Sequence, residues 1–263
     1  MNEVDLIVLD IDGGEMLDAC LRSIRAQTVQ PRRVIVFDNG SVKPVAERAE
    51  GVEVIRSETN LGFARATNEA LRISTAPYVG LVNNDVELEP KWLEEVSGAL
   101  DRDSRLSAVQ TIIRRPDGTI DGAGIDIGDG TFRQIGHGKP LGTPLAVAWG
   151  VSATAALYRR SAVGETMFDE SLFAYYEDVE LSARLRAAGW RTSVLPFVGA
   201  MHRGSSSAGK LRGDALRLRT RNRYRVARRH PGTGRVSALL FEDLKLLLQG
   251  RSSLSGIVEG LFG

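Results

Sequence analysis

Three acid-bearing turns follow apolar runs. "VFDNGS" places Asp38 behind the run 33–37, "VGLVNNDVEL" places Asn84 and Asp85 behind 78–82, and "VLDIDGG" places Asp10 and Asp12 behind 4–9. Asn and Asp make good turns, so a turn explains any one of these alone. Two carboxylates behind buried strands of one sheet ask for more, because ligands of open parallel sheets sit outside the carboxyl ends of the strands. Carboxylates at that edge suit a divalent cation, which in turn neutralises a diphosphate.

Two further stretches carry chemistry. In "NLGFARATNEAL" (60–71), Asn60 and Gly62 form a turn, and a helix follows with Arg65 and Asn68 in its first turns. Free N–H groups at a helix start suit phosphate or polar ligand atoms. In "FDESLFAYYEDVELSARLRAAGW" (168–190), Glu177 and Asp178 open a helix. Acids there cap amides and favour the dipole, which accounts for one of the two. Capping has no use for Phe173, Tyr175 and Tyr176 alongside. A carboxylate among rings suits a general base facing a sugar, with the rings stacking on its apolar face.

The elements needed to position these groups are legible around them. "VDLIVL" (4–9), "RVIVF" (33–37), "VEVI" (52–55) and "YVGLV" (78–82) read as buried strands. Leu17, Leu21 and Ile24 mark one helix by their spacing, and 64–73 and 90–100 give two more, the last opened by Pro90. Alternating strand and helix predicts a parallel sheet built from crossover units. Residues 114–144 are dense in glycine and read as an irregular excursion or small hairpins. Order resumes with "ATAALY" (153–158), a helix from Asp178 to Ala188 and "TSVLP" (192–196). From about 210 the pattern is helical, interrupted at 230–234.

Bulk properties bound the function. The 263 residues suffice for one large α/β domain, and a net charge of +1 gives no overall field for nucleic acid. The single cysteine, Cys20, fits a reducing compartment. No apolar stretch reaches the roughly 18 residues of a membrane span, and the acidic start is wrong for a signal peptide. The expected location is cytoplasmic, at most peripheral at the inner face of the plasma membrane.

The ordered set "VFDNGS", "NLGFARATNEAL", "VNNDVEL", "WGVSATAALYRR", "FAYYEDVELSARLRAAGW" and "MHRGSSSAG" resembles the family 2 glycosyltransferases, in the branch that includes bacterial rhamnosyltransferases. The resemblance runs from residue 4 to about 230. It implies an α/β fold of the GT-A type, a Rossmann-like domain with a mostly parallel central sheet followed by C-terminal helices. The expected division is a catalytic domain over 1–210 and a helical extension over 211–263. The implied activity is inverting, metal-dependent transfer of a sugar, rhamnose first, from a dTDP- or UDP-sugar to a hydroxyl of a glycan or lipid-linked acceptor in cell-surface polysaccharide synthesis. The cofactor implied is Mg²⁺ or Mn²⁺. By position, Asp38 would contact the base, with Asp10, Asn60, Gly62, Arg65, Asn68 and Asn84 also on the nucleotide. Asp85 and His202 would meet the metal, Asp178 would be the catalytic base, and Trp149, Tyr176 and Glu177 would meet the acceptor.

The chain departs from the family at "VLDIDGG", where Asp10 and Asp12 stand in asparagine positions and Ile11 replaces an aromatic. That motif also resembles the start of haloacid-dehalogenase-type phosphatases, whose first Asp is a nucleophile. Gly14 replaces their threonine, and no later Lys and paired-Asp motif follows. A nucleotidyltransferase would open with a basic glycine-rich loop instead. A degenerate protein that binds nucleotide-sugar without catalysis is the non-enzymatic alternative, against which Asp85 and Asp178 argue.

Eight arginines at 212, 217, 219, 221, 223, 225, 228 and 229 read as a solvated basic helix or a contact for anionic lipid headgroups. Leu239, Leu240, Leu244, Leu247 and Leu248 predict an apolar face, expected to pack on the domain or on a second copy ahead of a membrane.

Overall fold

The computed structural model describes residues 3–45, 51–127, 131–204 and 214–263. The expected boundary between 210 and 211, Arg212, and residues 205–209 of the "MHRGSSSAG" motif lie outside the described residues.

The chain begins β1 (Val4–Asp10), α1 (Glu15–Arg25), β2 (Arg33–Asn39), β3 (Glu53–Ser57), α2 (Gly62–Ile73) and β4 (Tyr78–Asn83). It continues with β5 (Val86–Leu88), α3 (Trp92–Arg102), β6 (Leu106–Arg114), β7 (Ile120–Gly122), β8 (Ile125–Asp126) and β9 (Arg133–Gln134). Then come β10 (Ala155–Arg159), α4 (Arg160–Val163), a short 3₁₀ turn (Glu170–Leu172), α5 (Glu177–Ala187) and β11 (Arg191–His202). The helices α6 (Asp214–Arg229), α7 (Val236–Leu248) and α8 (Leu254–Phe262) complete it.

The sheet order is β3-β2-β1-β4-β10-β6-β11-β5, with β7 paired to β6. Strands β3, β2, β1 and β4 run parallel, and β11 is parallel to β6. Strand β10 runs against both β4 and β6, and β5 runs against β11. Along β1 the side chains alternate: Leu6 and Val8 enter a core shared with Leu17, Leu21, Ile24 and Trp92, while Ile7 enters one shared with Ala66, Leu71 and Leu181. Helices therefore cover both faces, and only the strand ends remain for chemistry.

Strand β6 was not apparent from the sequence. Ser107, Gln110 and Thr111 interrupt its apolar pattern, yet all three are buried. Ser107 donates to the Arg191 carbonyl at 3.0 Å and Gln110 accepts from Ser152 N at 2.7 Å, which accommodates two of these polar groups in the interior.

Helix α6 is tied to the 3₁₀ turn region and to α7 and α8 rather than solvated along its length. Arg221 donates to the Leu172 carbonyl at 2.9 Å, Arg217 pairs with Glu259, Arg223 with Asp243 and Arg229 with Asp169. The expected leucine face of α7 divides. Leu239 is buried with Tyr224, Ala227 and Ile257, Leu240 and Leu247 pack beside it, and Leu244 and Leu248 are exposed. Among the described residues no helix is long and apolar enough to cross a membrane.

Candidate functional site

The register of the parallel strands brings the acidic turns together: Leu9 lies beside Asn83, and Asp10 beside Asp38. A cavity of about 540 Å³ opens above these ends. Its walls include Asp10, Asn60, Gly62, Asn84, Asp85, Tyr176, Glu177, Asp178 and His202, all anticipated from sequence. Asp38, Arg65, Asn68 and Trp149 were anticipated too, and they do not line it.

Each of those four has identifiable partners. Asp38 is fully buried and accepts from Ser41 N at 2.9 Å, Val45 N at 3.1 Å and Arg56. The neighbouring Asn39 faces the cavity instead. Asn68 is fully buried, accepting from Met167 N and Phe168 N at 3.0 Å each and donating to the Phe168 carbonyl at 2.9 Å. Arg65 lies on the surface near Glu69 and Glu170. Trp149 packs with Ile125 and Val179 under the Arg186 guanidinium.

At the ends of β1 and β4, Asp10 accepts from Asn84 Nδ2 at 2.5 Å and Gly13 N at 3.3 Å. A Cβ on Gly13 would fall 2.1 Å from Asp10 Oδ1, so only glycine permits this closeness. Burial raises the Asp10 carboxyl above the ordinary range, outweighing the hydrogen bonds from Asn84 and Gly13. Asp12 turns its carboxylate to Val42 N at 2.7 Å, tying two loops together. The start of α2 offers fewer free N–H groups than expected: Asn39 Oδ1 accepts from Leu61 N, Asn60 Oδ1 from Gly62 N, and the Phe173 carbonyl from Ala64 N.

Asp85 and His202 meet where β11 ends, His202 Nε2 standing 3.2 Å from Asp85 Oδ1. The other ring nitrogen, Nδ1, is 2.8 Å from Asp121 Oδ2. Burial alone would lower the His202 pKa, but hydrogen bonds to Asp121 and Asp85 and their charge raise it to about 9.

The turn before α5 is strained. Phe173, Tyr175 and Tyr176 have φ of 66°, 71° and 69°, a region that aromatic residues rarely adopt. The fully buried Asn222 of α6 holds this turn, its amide lying 2.8 Å from the carbonyls of Leu172, Ala174 and Tyr175. The turn delivers Glu177 and Asp178 to the first positions of α5. Asp178 accepts from Val179 N at 2.8 Å and Ala153 N at 3.4 Å. Glu177 Oε2 is buried without a hydrogen-bond partner. Burial raises both carboxyls, and the charge of Asp178 adds to the rise at Glu177, which reaches about 8.

Sequence reasoning missed several walls. Ile125, Phe132 and Gln134 come from the glycine-rich excursion, whose lack of periodicity hid them. Arg219 of α6 reaches the cavity, 4.4 Å over the Tyr175 ring, and only its place in the arginine run marked it. Asn39, adjacent to Asp38, was readable from the same strand end.

Residues 12–166 match the family model described as Glycosyl transferase family 2. The chain is 27% identical over 265 residues to the N-acetylglucosaminyl-diphospho-decaprenol L-rhamnosyltransferase of Mycobacterium tuberculosis, covering 88% of this chain and 86% of that protein. It is 26% identical to O-antigen biosynthesis protein RfbC of Myxococcus xanthus, covering 81% of this chain but 18% of that protein. Among solved structures it is similar to GalNAc-T7 with UDP, GalNAc and Mn²⁺, at a TM-score of 0.63 and 15% identity, spanning 86% of this chain and 47% of that one. S. aureus TarS 1-349 in complex with UDP is also similar, at 0.57 and 18% identity, spanning 84% of this chain and 65% of that one. These likenesses establish the GT-A fold.

Proposed function

The chain belongs to glycosyl transferase family 2, and from that premise we propose that it transfers a sugar, with inversion, from a nucleotide-diphosphate donor to a hydroxyl of a lipid-linked or glycan acceptor in cell-surface polysaccharide synthesis. One observation carries the reading. A single cavity is lined by Asp10, Asn84, Asp85 and His202 together with Glu177, Asp178 and the aromatic residues Phe132, Phe173, Tyr175 and Tyr176. The donor is dTDP-rhamnose first and a UDP-sugar second. The names of the mycobacterial rhamnosyltransferase, which acts on a diphospho-decaprenol, and of GalNAc-T7 with UDP support these classes.

A divalent cation fits beside Asp85 and His202. A carboxylate oxygen and an imidazole nitrogen converge there, a donor pair that suits Mn²⁺ or Mg²⁺. No group of three or more ligating side chains occurs among the described residues, so oxygens of the donor diphosphate and water would complete the shell. When bound, the ion would stabilise the charge developing on the departing nucleoside diphosphate.

The protein's own residues do the rest. The rings of Tyr175 and Tyr176 flank the sugar, and Asp178 takes the proton from the acceptor hydroxyl as its oxygen attacks the anomeric carbon. The bond to the diphosphate breaks on the opposite face, which inverts the centre. Burial raises the carboxyls of both Glu177 and Asp178, and the charge of Asp178 adds to the rise at Glu177, so the pair disfavours two adjacent negative charges and favours holding a proton. Helix α6 supports the turn before α5 through Asn222 and carries Arg219 to the cavity, where a second anionic group of the substrates would lie.

The test is a thermal-shift screen of dTDP-, UDP- and GDP-sugars with Mn²⁺, followed by a transfer assay with a polyprenyl-diphosphate sugar acceptor. A shift with one nucleotide class and formation of the extended glycolipid are expected. Absence of any nucleotide shift would sink the reading, and binding without transfer would reduce the protein to a nucleotide-sugar-binding module.

A further inference from the structure

We propose that Asp121, in the glycine-rich excursion, is the positioning residue that aims His202 at the cation site beside Asp85. The inference rests on the reading above, in which Asp85 and His202 hold a divalent ion.

An imidazole presents its Nε2 lone pair to a metal only when the proton sits on Nδ1, and an acceptor on Nδ1 fixes both tautomer and ring orientation. Asp121 Oδ2 lies 2.8 Å from His202 Nδ1, while Nε2 points to Asp85 Oδ1 at 3.2 Å. The carboxylate is itself held on its far side. Arg115 Nε donates to Asp121 Oδ1 at 3.3 Å, and His137 Nδ1 donates to the Asp121 carbonyl at 2.7 Å. Arg115 also contacts His137, so both residues hold Asp121 from outside the cavity.

The fold gives this arrangement a reason. Strand β7 pairs with the end of β6, and β11 runs beside β6 on its way to His202. The excursion thus returns Asp121 to the level where β11 ends, and Arg115 N donates to the Thr119 carbonyl at 2.8 Å to close the tight return. The alternative role is a tie between β7 and β11, which would support the fold without bearing on metal affinity.

Titration with Mn²⁺ in the presence of saturating dTDP or UDP, followed by the electron paramagnetic resonance of the free ion, separates the two. Asp121→Asn keeps shape and removes the charge, and loss of an outer partner of a ligating histidine weakens metal binding by about 10- to 100-fold. The same substitution in a His202→Ala background should change nothing further, because no ring is left to aim. Asp121→Glu, which keeps the carboxylate, should recover part of the affinity. If Asp121→Asn fails to fold, Arg115→Gln is measured in its place, with a smaller loss expected that again vanishes in the His202→Ala background. Unchanged affinity, or an equal loss in both backgrounds, would overturn the proposal. Wild-type protein that binds no Mn²⁺ would overturn the metal reading itself and this inference with it.

Discussion

Strand β1 carries a buried carboxylate at each end, and the two edges of the sheet treat them oppositely. Asp5 is fully buried and receives Arg32 Nε at 2.9 Å, Arg32 Nη2 at 2.7 Å and the Ser74 hydroxyl at 2.8 Å. Burial alone would raise its pKa, but these partners outweigh it and hold the carboxyl below the ordinary range. Asp10 has neutral donors such as Asn84 and Gly13, and its carboxyl is raised. Glu177 and Asp178, on the same cavity, are raised as well. Asp38 marks the boundary between the two treatments. It has a cation, Arg56, and it does not line the cavity. One edge pairs its carboxylate with a cation of the chain, and the other holds carboxyls that burial inclines to keep a proton, where a ligand or proton is to arrive.

The largest effect that tests this contrast belongs to Asp178→Asn. An amide at that position still accepts hydrogen bonds from the backbone, so the start of α5 should hold. It cannot take a proton at neutral pH, and general-base catalysis is worth about 10²- to 10⁴-fold, so transfer should fall by that factor. Donor affinity measured by calorimetry on the same preparation should stay level. Near-normal turnover would reduce Asp178 to a cap and move the base to Glu177.

The contrast also explains what could be read from the sequence. Parallel strands buried on both faces announce themselves as Val and Ile runs, so β1, β2 and β4 were placed correctly. Sequence order identified Asp85 and Asp178 as partners of one cavity wall or another through the family resemblance. It could not show that Asp38 spends its carboxylate on Ser41, Val45 and Arg56, because a turn that binds ligand and a turn that binds itself use the same residue types. Asn68 escaped for the same reason, its amide being taken by Met167 and Phe168, far along the chain. Nor could periodicity find Phe132 or Asp121, which lie in an excursion ordered by long-range pairing rather than by local pattern.

A smaller effect is expected at the neutralised edge. Asp5→Asn removes the charge that Arg32 and Ser74 were arranged around, leaving buried polar atoms poorly paired, at a cost of about 1–3 kcal/mol. Urea unfolding should register that loss, while turnover of the folded protein should remain that of wild type. Lost turnover at full stability would show that the two edges are coupled and erase the distinction drawn between them.

The last test separates the edges by the sign of their pH dependence. Burial, and then the charge of Asp178, raise Glu177 from 4.5 to about 8. The folded protein therefore holds this proton more tightly than the unfolded chain does. Its contribution is fully present below 4.5 and is lost as pH rises through about 8. Stability should fall across that window by at most about 1.4 kcal/mol per pH unit. Asp5 acts the other way: its lowered pKa contributes above the unfolded value of 3.8 and is lost as pH falls below it, so it does not mask the Glu177 slope. Gln at position 177 has nearly the same shape and no proton to release, so Glu177→Gln should flatten the curve. The variant should gain on wild type steadily as pH rises, read as diverging urea midpoints between the two titration limits. Parallel curves would mean that Glu177 is ionised throughout, and that the cavity edge neutralises its charge as fully as the edge that holds Asp5.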